Sequence, residues 1–160
     1  MSDADRSDPL RSALLRVLDS LPEVAIVAHD RYLTIIGSTA RARLLHPYFR
    51  PGVNISRFVF LDDPPDTGVE RAPWYEATAS ALRSSIARHS EDSHFLDLLG
   101  ELAAGSDAFT ETWAQESRDT PASVVSFDHP SLGAVRLLQT ALPLGGSSSD
   151  TLIIWTGADD

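Results

Sequence analysis

The strand-like segments are unevenly placed along this chain, and their placement limits the fold more than any motif does. Val24 to Ala28 is a short apolar run. Tyr32 to Ile36 is a second run rich in β-branched residues, and only His29-Asp30-Arg31 separates the two. The next such segment is Ser123 to Phe127, followed by Ala134 to Leu142 and Thr151 to Thr156. Links this short join antiparallel neighbours, because a parallel pair needs a long crossover. Two strands, a long helical block and three more strands predict an α+β fold. Its expected form is a five-stranded antiparallel sheet with helices packed on one side.

The helical segments follow from caps and spacing. Asp8-Pro9 is an N-cap followed by proline at the first helical position. Leu10, Leu14, Val17, Leu18 and Leu21 then recur at helical spacing up to Pro22, which predicts one apolar face. Ser38 is placed to cap a short helix over Ala40 to Leu45, stopped by His46-Pro47. Pro51-Gly52 is a turn, and Asn54 is placed to cap a helix carrying Ile55, Phe58 and Val59. Asp62 to Gly68 is a proline-bearing loop. Pro73 opens the longest predicted helix, with Trp74, Ala77, Ala81, Ser85 and Ile86 on one stripe. After Ser90-Glu91-Asp92-Ser93, Phe95, Leu98, Leu99 and Leu102 make another amphipathic helix. Ser106 or Asp107 caps a further one, with Phe109 and Trp113 four apart.

Composition removes several function classes. The 160 residues suit one domain with a hydrophobic core. No run approaches the roughly 18 apolar residues of a membrane span, and the acidic N-terminus lacks the pattern of a secretory signal. The reading is a cytoplasmic protein without membrane association. With no cysteine, disulfide and thiolate chemistry are excluded. A net charge of −10 opposes binding to a nucleic-acid backbone. All 13 basic residues are arginine, a bias of high-GC genomes such as those of actinobacteria.

Several motifs then fall in a fixed order. They are the Val-Ala-Ile-Val strand after Leu18 and Pro22, then Asn54, Arg57 and Phe60 as N-x-x-R-x-x-F with Asp62 following. Trp74, Leu82-Arg83, Gly100-Glu101-Leu102, Ser106, Phe109 and Trp113 come next, and His129-Pro130 with Gly133 close the series as H-P-x-x-G. In this order they resemble the ligand-binding domain of MmyB-like bacterial transcription regulators. The resemblance runs from about Leu14 onward. It implies a PAS-like fold, with the first two strands beside the last one and a pocket between sheet and helices. It also implies a small apolar or amphipathic ligand such as a fatty acid. Residues 1–13 are read as a tail and the start of the first helix, and 14–158 as the ligand-binding domain.

The chain departs from the family at Gly37-Ser38, where members tend to carry Trp-Asn, at Arg71 and at Val124-Val125. Members usually begin with a helix-turn-helix domain, and the segment before the first predicted strand is too short to form one. The chain is therefore read as a separated sensor domain or a stand-alone one, reaching DNA only through a helix-turn-helix domain elsewhere. The amphipathic first helix and the PAS-like sheet point to a homodimer.

The candidate ligand-binding residues are Asn54, Arg57, Phe58, Phe60, Trp74, Trp113 and Leu137. Asn54 and Arg57 share a helix face, and the arginine fork suits an acid headgroup. The competing reading is a helix cap and an arginine paired with Asp62, Asp63 or another carboxylate. The aromatic residues, Trp155 and Phe109 among them, line a pocket in one reading and fill the core in the other. Val135, Leu137 and Gln139 share one strand face. His89 and His94 flank Glu91 and Asp92, but their spacing suits a metal poorly. His129 reads as a turn residue. Neither a nucleophile elbow nor a phosphate loop is present, and no cofactor is expected. A ligand sensor without enzymatic activity is the leading reading. A ligand-free interaction module and a small cyclase-like enzyme using Asp128-His129 are the alternatives.

Overall fold

A computed structural model describes residues 8–62, 71–116, 122–145 and 149–158. The elements in chain order are α1 (Pro9–Asp19), β1 (Ala25–His29), β2 (Ile35–Ser38), α2 (Ala40–Leu45), α3 (Ile55–Phe60), α4 (Ala72–Arg88), α5 (His94–Gly105), α6 (Asp107–Ala114), β3 (Ala122–His129), β4 (Gly133–Pro143) and β5 (Thr151–Gly157). The strands form one antiparallel sheet in the order β2-β1-β5-β4-β3. The last strand thus sits between the two halves of the chain, beside β1, which is the PAS-like arrangement. Of the loops expected, 63–70, 118–121 and 146–148 lie outside the described residues.

Local chemistry explains most boundaries. Asp8 accepts the Leu10 N–H (2.9 Å) at the start of α1, and Asn54 accepts the Arg57 N–H (3.1 Å) at the start of α3. Ser106 accepts the Phe109 N–H (3.1 Å) at the start of α6. Gly52 (φ 91°) and Gly133 (φ 70°) take the left-handed backbone that their turns require. Ser38 does not cap α2. It ends β2, and Thr39 takes the capping role, accepting the Ala42 N–H (3.3 Å). β2 starts at Ile35 rather than Tyr32 because Asp30 Oδ1 accepts the N–H groups of Tyr32 and Thr34 (both 2.9 Å). Those bonds hold a turn that brings Leu33 to φ 65°.

The sheet is covered on both faces. Val27, Ile35, Val125, Phe127, Ile153 and Trp155 belong to the core shared with helices α2 to α6. On the opposite face, Ile26, Ala28, Ile36, Leu152 and Ile154 pack with Leu14 and Leu18 of α1. Five helices therefore lie on one side, as expected, while α1 crosses to the other. A bulge in the β1–β2 ladder turns Gly37 toward α1, where an added Cβ would lie 2.5 Å from Leu15 Cδ2. The apolar face of α1 is narrower than its sequence suggests, since Leu10 and Val17 are 47% and 51% exposed.

Candidate functional site

A cleft of about 1160 Å³ opens between α4 and the inner face of the sheet. Its α4 wall is the stripe Trp74, Ala77, Ala81 and Ser85, extended to Arg88. Helical spacing turns these residues toward the same side. Phe49, Trp155, Ile153, Leu33 and Ile55 supply apolar surface opposite. The aromatic base is packed ring on ring. Phe49 stacks on Trp155 (centroids 4.7 Å apart), and Phe127 meets both Trp74 (5.0 Å) and Trp155 (5.7 Å) edge to face. Trp74 donates its indole N–H to the Ser126 carbonyl (3.0 Å), tying α4 to β3, and Trp155 donates to Gln139 Oε1 (3.0 Å).

Polar groups gather at the end of the cleft near the β1–β2 turn, where His29, Asp30, Arg31, Ser85, Arg88, Ser149 and Thr151 meet. Burial pushes the His29 imidazole below its ordinary range and the Asp30 carboxyl above its own. Ser85 donates to the Arg31 carbonyl (2.6 Å). Arg31 reaches Asp92 (3.4 Å), which also accepts the Tyr32 hydroxyl. Burial first, then that hydrogen bond, push the Tyr32 phenol up to about 12. A smaller open pocket of about 540 Å³ adjoins along Arg88 to Ser93. His89 lies in it with Nε2 buried and without a partner among the described residues.

Behind the polar end lies a feature that no sequence motif announced. Asp150 sits between Ser149 and Thr151, which both line the cleft, yet its own carboxylate binds Arg11 of α1. The two guanidinium bonds measure 2.8 and 3.2 Å, and the residues are 8% and 2% exposed. A charge pair so far apart in sequence carries no spacing signature. Arg11 lies three and seven residues before Leu14 and Leu18, on their side of the helix, and is buried with them.

Of the seven residues expected to contact a ligand, the structure brings only Trp74 to the cleft. Asn54 is spent on structure: its Nδ2 donates to the Tyr32 carbonyl (2.7 Å) and Thr34 (3.1 Å), and its Oδ1 accepts from Ser56 (2.6 Å). Arg57 points to solvent and holds Glu101 at 2.7 Å, with both side chains about half exposed. This is the competing reading of an arginine paired with a carboxylate, here one on α5; Asp63 lies outside the described residues. Phe58 stacks on Tyr48 (4.6 Å), and Phe60 on Tyr75 (5.1 Å). Trp113 stacks on Phe109 (5.3 Å) under the Arg83 guanidinium. Leu137 packs in the core opposite Val125. Phe60 and Trp113 miss the cleft because α3 and α6 turn their aromatic sides to each other and to α4 rather than to the sheet.

The remaining candidates have local partners. His94 Nδ1 lies 3.2 Å from Asp92, and His129 Nδ1 accepts the Ser131 N–H (3.2 Å), holding the β3–β4 turn. Residues 10–159 match the family described as the MmyB-like transcription regulator ligand binding domain. The chain belongs to that family. As an MmyB-like domain it is of the ligand-binding type that serves a class of transcription regulators. No curated protein matches the chain. Among solved structures it is similar to the PAS domain of an HTR-like protein from Haloarcula marismortui. The identity is 13% and the TM-score 0.41, over 91% of this chain and 95% of that one. No helix among the described residues is long and apolar enough to cross a membrane.

Proposed function

We propose that this MmyB-like domain senses a fatty acid or another single-chain amphiphile held in the cleft between α4 and the sheet. The observation that carries the reading is the cleft itself. Its volume of about 1160 Å³ lies just above the roughly 300–1,000 Å³ scale of small-molecule sites. It combines an aromatic and aliphatic base with a polar cluster near the β1–β2 turn and further polar side chains, Arg83, Gln115 and Gln139 among them, along its walls. Trp74 and Trp155 would contact the apolar chain. The domain works in the cytoplasm as a non-enzymatic module and controls a helix-turn-helix domain through the ligand's different affinity for two conformations. The exposed Leu10 and Val17 on α1 support a homodimer formed through that helix.

Native mass spectrometry of the purified protein, followed by organic extraction and mass analysis, tests the reading. A co-purified single-chain lipid, or a rise in melting temperature with added amphiphiles, is the expected result. An empty protein that no amphiphile stabilises refutes it and shifts the reading to a ligand-free interaction module.

A further inference from the structure

The polar end of the cleft has a definite hydrogen-bonding sense, and this bears on the ligand's headgroup. His29 ends β1 and is 5% exposed. Its Nδ1 lies 2.8 Å from the Asp30 carbonyl oxygen. A carbonyl only accepts, so this contact places the proton on Nδ1 and leaves Nε2 with a lone pair. Among the described residues the hydrogen bond of the His29 ring is made by Nδ1 alone, and His29 lines the cleft.

The charged groups around His29 come from four elements. Asp30 follows it in the turn, Asp150 precedes β5, Arg88 ends α4, and Arg11 of α1 is bound to Asp150. Asp30 Oδ1 already accepts two backbone N–H groups. At His29 the cleft therefore presents an acceptor, with two carboxylates close by and the Ser149 and Thr151 hydroxyls and Arg88 as the donors around it. An ionised carboxylate arriving at His29 would oppose lone pair to lone pair.

The cleft's arginines offset this only in part. Arg83 donates to the carbonyls of Thr112, Trp113 and Gln115 (3.1, 2.7 and 3.1 Å). Arg31 is held by Asp92 (3.4 Å) and lies over the Tyr32 ring. Arg88 sits at the exposed mouth, with Nε on the Ser84 carbonyl (3.2 Å).

Resting on the proposed function, we infer that His29 is a specificity-determining residue that accepts a hydrogen bond from an uncharged donor on the ligand. The cleft then favours single-chain amphiphiles ending in a hydroxyl or primary amide over ionised carboxylates. A fatty acid would bind in its protonated form.

Three chain-matched ligands test this on the full chain at neutral pH by calorimetry: decanol, decanamide and decanoate. The alcohol and the amide are expected to bind about tenfold or more tightly than the carboxylate, the equivalent of one buried hydrogen bond. His29→Leu should erase that preference, and His29→Gln, which keeps an acceptor, should retain much of it. If neither variant folds, the wild-type headgroup series still decides. Adding decanol should also shift the His29 Nε2 resonance in nitrogen NMR, which a purely structural histidine would not show. Tighter binding of decanoate, lost in Arg88→Ala, would overturn the inference while leaving the sensor function standing. Failure of all three ligands to bind would overturn both.

Discussion

Replacing Arg11 by methionine isolates the buried pair that fastens α1 to the sheet. The substitution keeps most of the side-chain volume but removes both bonds to Asp150, at 2.8 and 3.2 Å. The carboxylate, 2% exposed, is left in a site that water barely reaches. Removing one partner of a buried pair costs about 3–5 kcal/mol, because the cost is that of an uncompensated charge. That is a large share of the roughly 5–15 kcal/mol that holds a domain together. For a chain of this size the melting temperature should fall by about 6–20 °C. Circular dichroism during thermal and urea melts reads it directly. Arg11→Met combined with Asp150→Leu removes the stranded charge and should recover most of the loss, since apolar replacement of a buried pair is often neutral. A single-variant cost under about 1 kcal/mol would refute the reasoning, for it would place the pair in the range of solvent-screened surface bridges.

Three further outcomes follow. Burial lowers the folded-state pKa of His29, His46 and His89 from the ordinary 6.5, so the unfolded chain takes up protons first. Stability should be complete above 6.5 and fall as pH drops below it, with a shallower decline in His29→Gln. Asp30, raised by burial, has the opposite sign: its contribution is present at low pH and lost as pH rises through its folded value. Urea midpoints over this range separate the two. Gly37→Ala would bring Cβ within 2.5 Å of Leu15 and 3.0 Å of Leu18. It should cost about 1–3 kcal/mol through displacement of α1, measurable as a lowered urea midpoint without loss of fold. Arg57→Ala breaks the half-exposed pair with Glu101 and should cost no more than about 1 kcal/mol. Calorimetric ligand affinity should stay unchanged, and a clear loss would return Arg57 to the ligand site.

The strands and most helix starts were legible in the sequence because they rest on local signals, whereas the sheet order came only from the family resemblance, because strand pairing across the chain leaves no local signal. Asp8, Asn54 and Ser106 each cap within a few residues of themselves, and His129 to Gly133 form a turn by their own chemistry. The stripe on α4 was legible too, and it became the cleft wall. The ligand contacts were not, because an aromatic residue at helical spacing looks the same whether it meets a cavity or another ring. Phe60 and Trp113 met rings, while Trp155 and Phe49 met the cleft. Arg57 appeared suited to a headgroup only because Glu101, its partner, comes from a different helix. His29 read as a turn residue because its burial depends on α4 and β5, which close over it from far along the chain.

The residues Ser149, Asp150 and Thr151 give the sheet an unusual economy. The outer two face the cleft and the middle one grips the helix on the opposite side. Ser149 takes a left-handed backbone (φ 45°) just ahead of β5, and Asp150 is joined to Thr151, the first residue of β5, by one peptide bond, so the two cannot shift independently. A molecule that presses on Thr151 therefore pushes against the anchor of α1 as well. The thickness of one strand is all that separates the interior of the domain from the helix at its N-terminal end, and the connection between them is a peptide bond rather than a chain of packed side chains.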